Sequence, residues 1–141
     1  GGFVVLDLHS YNHRRPGPDA PAADPGETPE VNVGTGTLDR ERWGPLIERF
    51  MADLRAFDFG GRALDVRENV KFKGGFFPRW VNERYGNIGC ALAIEFKKTF
   101  MNEWTGEVDR RRLDMLKSAL AFTLPGLAEF VNRGAKSEER R

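Results

Sequence analysis

One cysteine, Cys90, stands among 141 residues, so no disulfide can form within the chain, and a reducing, cytoplasmic compartment fits that usage. No apolar run approaches the roughly 20 residues of a membrane-spanning helix. Neither sign of charge dominates. Lys and Arg number 22 against 21 Asp and Glu, for a net charge of +1, which leaves no global field to gather nucleic acid or an anionic membrane. No basic stripe alternates with aromatic residues, so a nucleic-acid groove is not indicated. No internal repeat is present. Histidine is scarce, with only His9 and His13, and any imidazole chemistry is confined to one short segment. What remains is ordinary for a globular domain: 40% hydrophobic and 30% charged residues in a length suited to one core. The chain starts on Gly1, not Met, and opens almost directly on a strand pattern, so residues upstream are expected to be missing.

Phe3 to Leu8 is apolar except for Asp7, and its β-branched and aromatic content predicts a strand buried on both faces. Gly17 to Thr28 is rich in Pro, Ala, Asp and Gly and reads as a long loop. Val31 to Val33 suits a short strand, followed by a turn over Gly34 to Thr37. Asp39 is placed to cap a helix on which Trp43, Leu46, Ile47, Phe50, Met51 and Leu54 recur at helical spacing. Leu64 to Val66 is a further short strand. "ENVKFKGG" is a loop, and Pro78 opens a short helix over Arg79 to Tyr85 that Gly86 ends. Cys90 to Phe96 predicts a second buried strand, apolar but for Glu95. Asp109 caps a last helix bearing Leu113, Leu116, Leu120 and Leu124, which Pro125-Gly126 is expected to interrupt, with a further turn or two over Leu127 to Val131. Residues 1–133 form one domain portion, and 134–141 read as a polar, frayed tail. Two buried strands with helices between them indicate an α/β sheet layered by helices.

Each strong strand carries polar groups near its C-terminal end, where open α/β sheets place their ligands. His9 is either a hydrogen-bonded structural residue or a metal ligand, since neutral imidazole is a usual zinc donor. Asp7 shares its face by strand alternation and is a candidate to hold the unused ring nitrogen. Glu95 would be expensive to bury unpaired. It is either one half of an ion pair with Lys97, Lys98 or an arginine, or a general base tuned by burial. Around the glycine pair Gly74-Gly75 stand Arg67, Lys71, Lys73 and Arg79, and a planar guanidinium can grip a carboxylate with two parallel hydrogen bonds. For the lysines a solvated turn is preferred. "GTGT" lacks the spacing and the Lys-Ser/Thr ending of a P-loop. Phe76, Phe77, Trp80 and Trp104 read as packing residues.

The ordered set "DLHSY", "NVKFKGG", an arginine and "AIEFKKTFMNEWTG" resembles the C-terminal part of the N-formylglutamate amidohydrolase family over about Val4 to Leu124. The resemblance implies a three-layer αβα fold with a mixed central sheet, of the phosphorylase/hydrolase-like, zinc carboxypeptidase-like kind. It implies a zinc-dependent hydrolase that cleaves the amide of a small N-acyl amino acid such as N-formylglutamate. By it, His9 matches a zinc ligand and Glu95 the general base that activates water. Asn69, Gly74, Gly75 and Arg79 match a substrate loop, with Arg79 the best candidate to grip a substrate carboxylate and Arg67, Arg14 and Arg15 weaker ones. Its first two zinc ligands, a histidine and an acid at short spacing, have no counterpart ahead of His9. His13 lies four residues on, an offset that serves zinc mainly on a helix. The chain is therefore expected to be an incomplete domain, the C-terminal part of a longer protein, or to have lost its metal. A related carboxypeptidase- or aspartoacylase-like deacylase, and a non-catalytic domain with a vestigial site, are the competing readings. An incomplete sheet would expose an edge and favour self-association.

Overall fold

The computed structural model describes residues 1–138, and the end of the expected tail, 139–141, lies outside the described residues. The elements run β1 (Phe3–Tyr11), β2 (Val31–Gly34), α1 (Arg40–Ala56), β3 (Val66–Glu68), α2 (Phe76–Tyr85), β4 (Gly89–Lys97) and α3 (Arg110–Glu138). The strands form one mixed sheet in the order β1-β4-β2-β3. β1 pairs parallel with β4, β2 antiparallel with β4, and β2 parallel with β3.

Strand alternation sorts the side chains into two faces. Val31, Val33, Leu92, Ile94 and Phe96 join Leu46, Ile47, Phe50 and Leu54 of α1 and Leu116, Ala119 and Leu127 of α3 in one buried core. The other face carries Ala91, Ala93 and Glu95 and is covered in part by α2, whose Asn82 side chain bonds both the N–H and the carbonyl of Ala91. Two helices on one face and one on the other give the three layers expected.

Helix α1 begins where the sequence places it. The Asp39 carboxylate accepts from the N–H groups of Glu41 and Arg42, satisfying donors that a helix start leaves free. Several boundaries differ from the sequence reading, among them the start of α2 at Phe76 and those of β1, β3 and α3. β1 runs on to Tyr11 because the ladder with β4 continues, Tyr11 opposite Lys97, so His9 stands on the strand and not after it. β3 starts at Val66, leaving the buried Leu64 ahead of it. α3 passes through Pro125-Gly126 without ending and continues to Glu138, into the segment expected to fray. The reason lies in packing against α1. A Cβ at Gly126 would come within 2.5 Å of the Asp53 carboxylate, so glycine there permits close approach of the helices.

Candidate active site at the tips of β1 and β4

The register aligns four polar residues in one row across the sheet: His9 beside Glu95, Glu95 beside Asn32, Asn32 beside Arg67. Adjacent strands lie about 4.8 Å apart, and residues opposite one another project from the same face. His9 and Glu95, on parallel strands, therefore stand side by side near one end of the sheet. Asp7 lies one alternation back, and its Oδ2 is 2.9 Å from His9 Nε2. A cavity of about 220 Å³ is lined by Asp7, His9, Ala93 and Glu95 from the strands and by Gly75, Phe76, Phe77 and Pro78 from the start of α2.

The electrostatics of this trio are coupled. The hydrogen bond that His9 donates to Asp7 raises the His9 pKa above its ordinary value; burial opposes this, and the charges of Asp7 and Glu95 add to it. Burial raises the Glu95 pKa above the usual carboxylate range, His9 opposes, and Asp7 adds to the rise. Among the described residues Glu95 makes no ion pair with a lysine or arginine. The Lys97 ammonium turns instead to the Thr28 carbonyl and hydroxyl, at 3.3 and 3.0 Å. A partly buried carboxylate with a raised pKa and no fixed cation is suited to accept a proton near neutral pH.

The loop bearing Gly74 and Gly75 is pinned from below by Asn32, a residue the sequence reading passed over. Its Oδ1 accepts from the N–H groups of Lys71 and Phe72, and its amide nitrogen donates to the Phe72 carbonyl. The signal was an amide inside the apolar "VNV". Backbones then meet closely: a Cβ on Gly34 would lie 2.8 Å from the Gly74 N. Gly74 itself has φ +102°, a region open to glycine, and it brings the chain past Ala93 into the start of α2. That start has no side-chain cap.

The remaining candidates divide. Gly75 lines the cavity and Gly74 adjoins it. Asn69 does not line it; at φ 53° its amide braces Thr35, accepting from the Thr35 N–H and donating to the Thr35 hydroxyl. Arg67 grips Asp65 and the carbonyls of Pro25 and Gly26, anchoring the long loop before β2. Arg79 lies over the Phe76 ring, 5.8 Å from its centroid, outside the cavity lining. Arg14 donates to the Ala20 carbonyl, and Arg15 is exposed. His13 is placed in the turn after β1, where its backbone N–H and that of Arg14 donate to Glu103, and it does not enter the cavity. Phe76, Phe77 and Trp80, read as packing residues, are instead exposed to 72%, 46% and 46%.

Among the described residues no group of three or more His, Cys, Asp and Glu side chains is arranged to hold a metal ion. A catalytic zinc takes three protein ligands, and the described residues do not complete such a site. No described helix is long and apolar enough to cross a membrane.

No protein-family model matches the chain, and no curated protein sequence does. The fold is similar to that of an N-formylglutamate amidohydrolase from Ralstonia eutropha JMP134 whose crystal structure is solved, with a TM-score of 0.65 and 20% sequence identity over 94% of this chain. The chain spans about half the length of that protein, 46%.

Proposed function

We propose that the chain carries the catalytic base of a hydrolase that cleaves the amide of a small N-acyl amino acid. The observation that carries this reading is the placement of His9, Asp7 and Glu95 in one cavity at the tips of two parallel strands. The likeness in fold to an N-formylglutamate amidohydrolase supports the reaction class. Glu95 takes a proton from a water in the cavity, the water oxygen bonds to the acyl carbon, and the C–N bond then breaks. The same proton passes from Glu95 to the departing amine. His9, held by Asp7, fixes the polar wall opposite. Arg79, at the start of α2, is the candidate for the substrate's α-carboxylate.

Zinc enters this proposal only through His9. We propose that its imidazole is one donor to a zinc ion, the other donors lying outside the described residues. Zinc would supply Lewis acidity toward the carbonyl and the attacking water. His9→Ala should lower zinc occupancy in a metal assay, and unchanged occupancy would assign His9 a structural role.

The test of the reaction is turnover of N-formyl and N-acetyl amino acids by the full-length protein supplied with zinc, with Glu95→Gln as the paired variant. A general base contributes about 10²-fold or more, so the variant should lose at least that much rate. A retained rate removes Glu95 from the mechanism. No turnover of any substrate by that parent protein would favour a binding domain with a vestigial site, which the lack of a complete metal-donor set among the described residues also suits.

A further inference from the structure

We propose that the apolar side of the cavity, the wall beneath α2, is a specificity surface that takes an aromatic or large apolar amino-acid side chain and disfavours an acidic one, while the water and Glu95 occupy the polar side. This deepens the hydrolase reading and rests on it for the identity of the reacting group. The first support is the wall. Phe76, Phe77 and Pro78 form one side, and Gly75 and Ala93 add no polar group. The second is charge. The polar groups lining the cavity are two carboxylates, Asp7 and Glu95, and one imidazole; among the described residues no lysine or arginine lines it. A glutamate side chain placed there would bring a third carboxylate beside the other two without a guanidinium to meet it.

The nearby cations are held elsewhere. Arg67 is engaged by Asp65 and two carbonyls, and Arg79, over the Phe76 ring outside the lining, is assigned above to the α-carboxylate and so does not serve a second one. The third support is exposure. A helix of 10 residues leaves Phe76, Phe77 and Trp80 exposed, and ring contacts run on from Phe77. Phe77 and Trp80 stack at 6.5 Å, Trp80 meets Tyr85 edge-on at 5.6 Å, and Tyr85 meets Phe3 at 6.0 Å. Exposed aromatic surface that begins at the wall of a cavity is the pattern of a ligand site. The volume of about 220 Å³ falls below the ~300 Å³ of smaller ligand pockets, the scale of one side chain.

The experiment reads binding without turnover, using sulfonamides, whose S–N bond resists amide hydrolysis. N-methanesulfonyl-phenylalanine and N-methanesulfonyl-glutamate are titrated into the parent chain by calorimetry. The phenylalanine ligand should bind at least about tenfold tighter, from the apolar area a phenyl ring buries. Phe76→Ala combined with Phe77→Ala should abolish that preference while the protein stays folded, since Phe76 is 72% and Phe77 46% exposed and neither belongs to the buried core. Equal affinities, a preference for the glutamate ligand, no binding of either, or a preference that survives the double substitution each overturns the proposal. A full-length, zinc-supplied protein that hydrolyses nothing sinks the hydrolase reading but leaves this readout intact.

Discussion

Asn32 and Glu95 are neighbours in one row of the sheet, yet they are treated in opposite ways. Asn32 is wholly buried, and both ends of its amide are engaged by the backbone of Lys71 and Phe72. Around it Asn69 braces Thr35, and Glu30 joins Arg62, Arg112 and the Asp65 N–H. This half of the sheet is a brace in which each of these polar groups has a structural partner. At the β1–β4 tip, by contrast, Asp7 and His9 hold one another, and Glu95 is left facing a cavity. Burial without a fixed cation raises the free energy of a carboxylate. A fold that satisfies its polar groups one strand away and leaves this carboxylate without a fixed cation keeps it available.

The comparison can be broken most forcefully at the brace. Asn32→Ala leaves two N–H groups and a carbonyl without partners, and unsatisfied buried groups cost about 1–3 kcal/mol each, partly relieved by water. The loss of stability should reach about 3 kcal/mol by urea unfolding, and a loss near zero would mean that the loop is held by other contacts.

Glu30 tests the same half through pH. Burial would raise its pKa, but hydrogen bonds from Arg62 and the Asp65 N–H, with the charges of Arg62 and Arg112, outweigh it and the net shift is downward. A depressed folded pKa gives stability that is present above the unfolded value, near 4.5, and lost as pH falls through the folded value. The arginines are 48% and 32% exposed, so screening trims the effect to about 1 kcal/mol. Glu30→Gln should lower stability by that amount at neutral pH and flatten its decline in acid. An unchanged acid profile would remove Glu30 from the brace.

The smallest effect sharpens the tip. Asp7→Asn should leave the unfolding free energy within about 0.5 kcal/mol, because His9 is half-exposed. It should lower the His9 pKa, read by NMR titration of the imidazole in metal-free protein. The parent's raised value contributes stability below the ordinary 6.5 that fades as pH rises through the folded value. An unshifted His9 would show that Asp7 does not hold it.

Much of the brace was hidden in the sequence while the tip was open to view. His9 and Glu95 stand out because each is a polar residue near the end of an apolar run, and alternation alone puts Asp7 with His9. Their adjacency needed the β1–β4 register, which no local pattern encodes. The partners of Asn32 lie about 40 positions along the chain, so its "VNV" setting could mark it as unusual but not say what it holds. The commitment of Arg67 to the Pro25 and Gly26 carbonyls is non-local in the same way. Helix α1 was legible because its cap and its apolar stripe are both local. The continuity of α3 was not, since Pro125-Gly126 carries a breaker's signature and only the close contact of Gly126 with α1 explains its survival. Phe76 and Phe77 have the composition of core residues, and their exposure follows from where α2 sits.

The most direct measurement is the thermal midpoint of Glu95→Gln at neutral pH. A carboxyl whose pKa burial has raised favours the folded state only while protonated, so at neutral pH its charge opposes folding. If Glu95 is withheld from structural use, the neutral amide should leave the midpoint equal to the parent's or higher. A fall of about 4 °C or more, the equivalent of about 1 kcal/mol for a domain of this size, would make Glu95 part of the scaffold and contradict its assignment as a poised base.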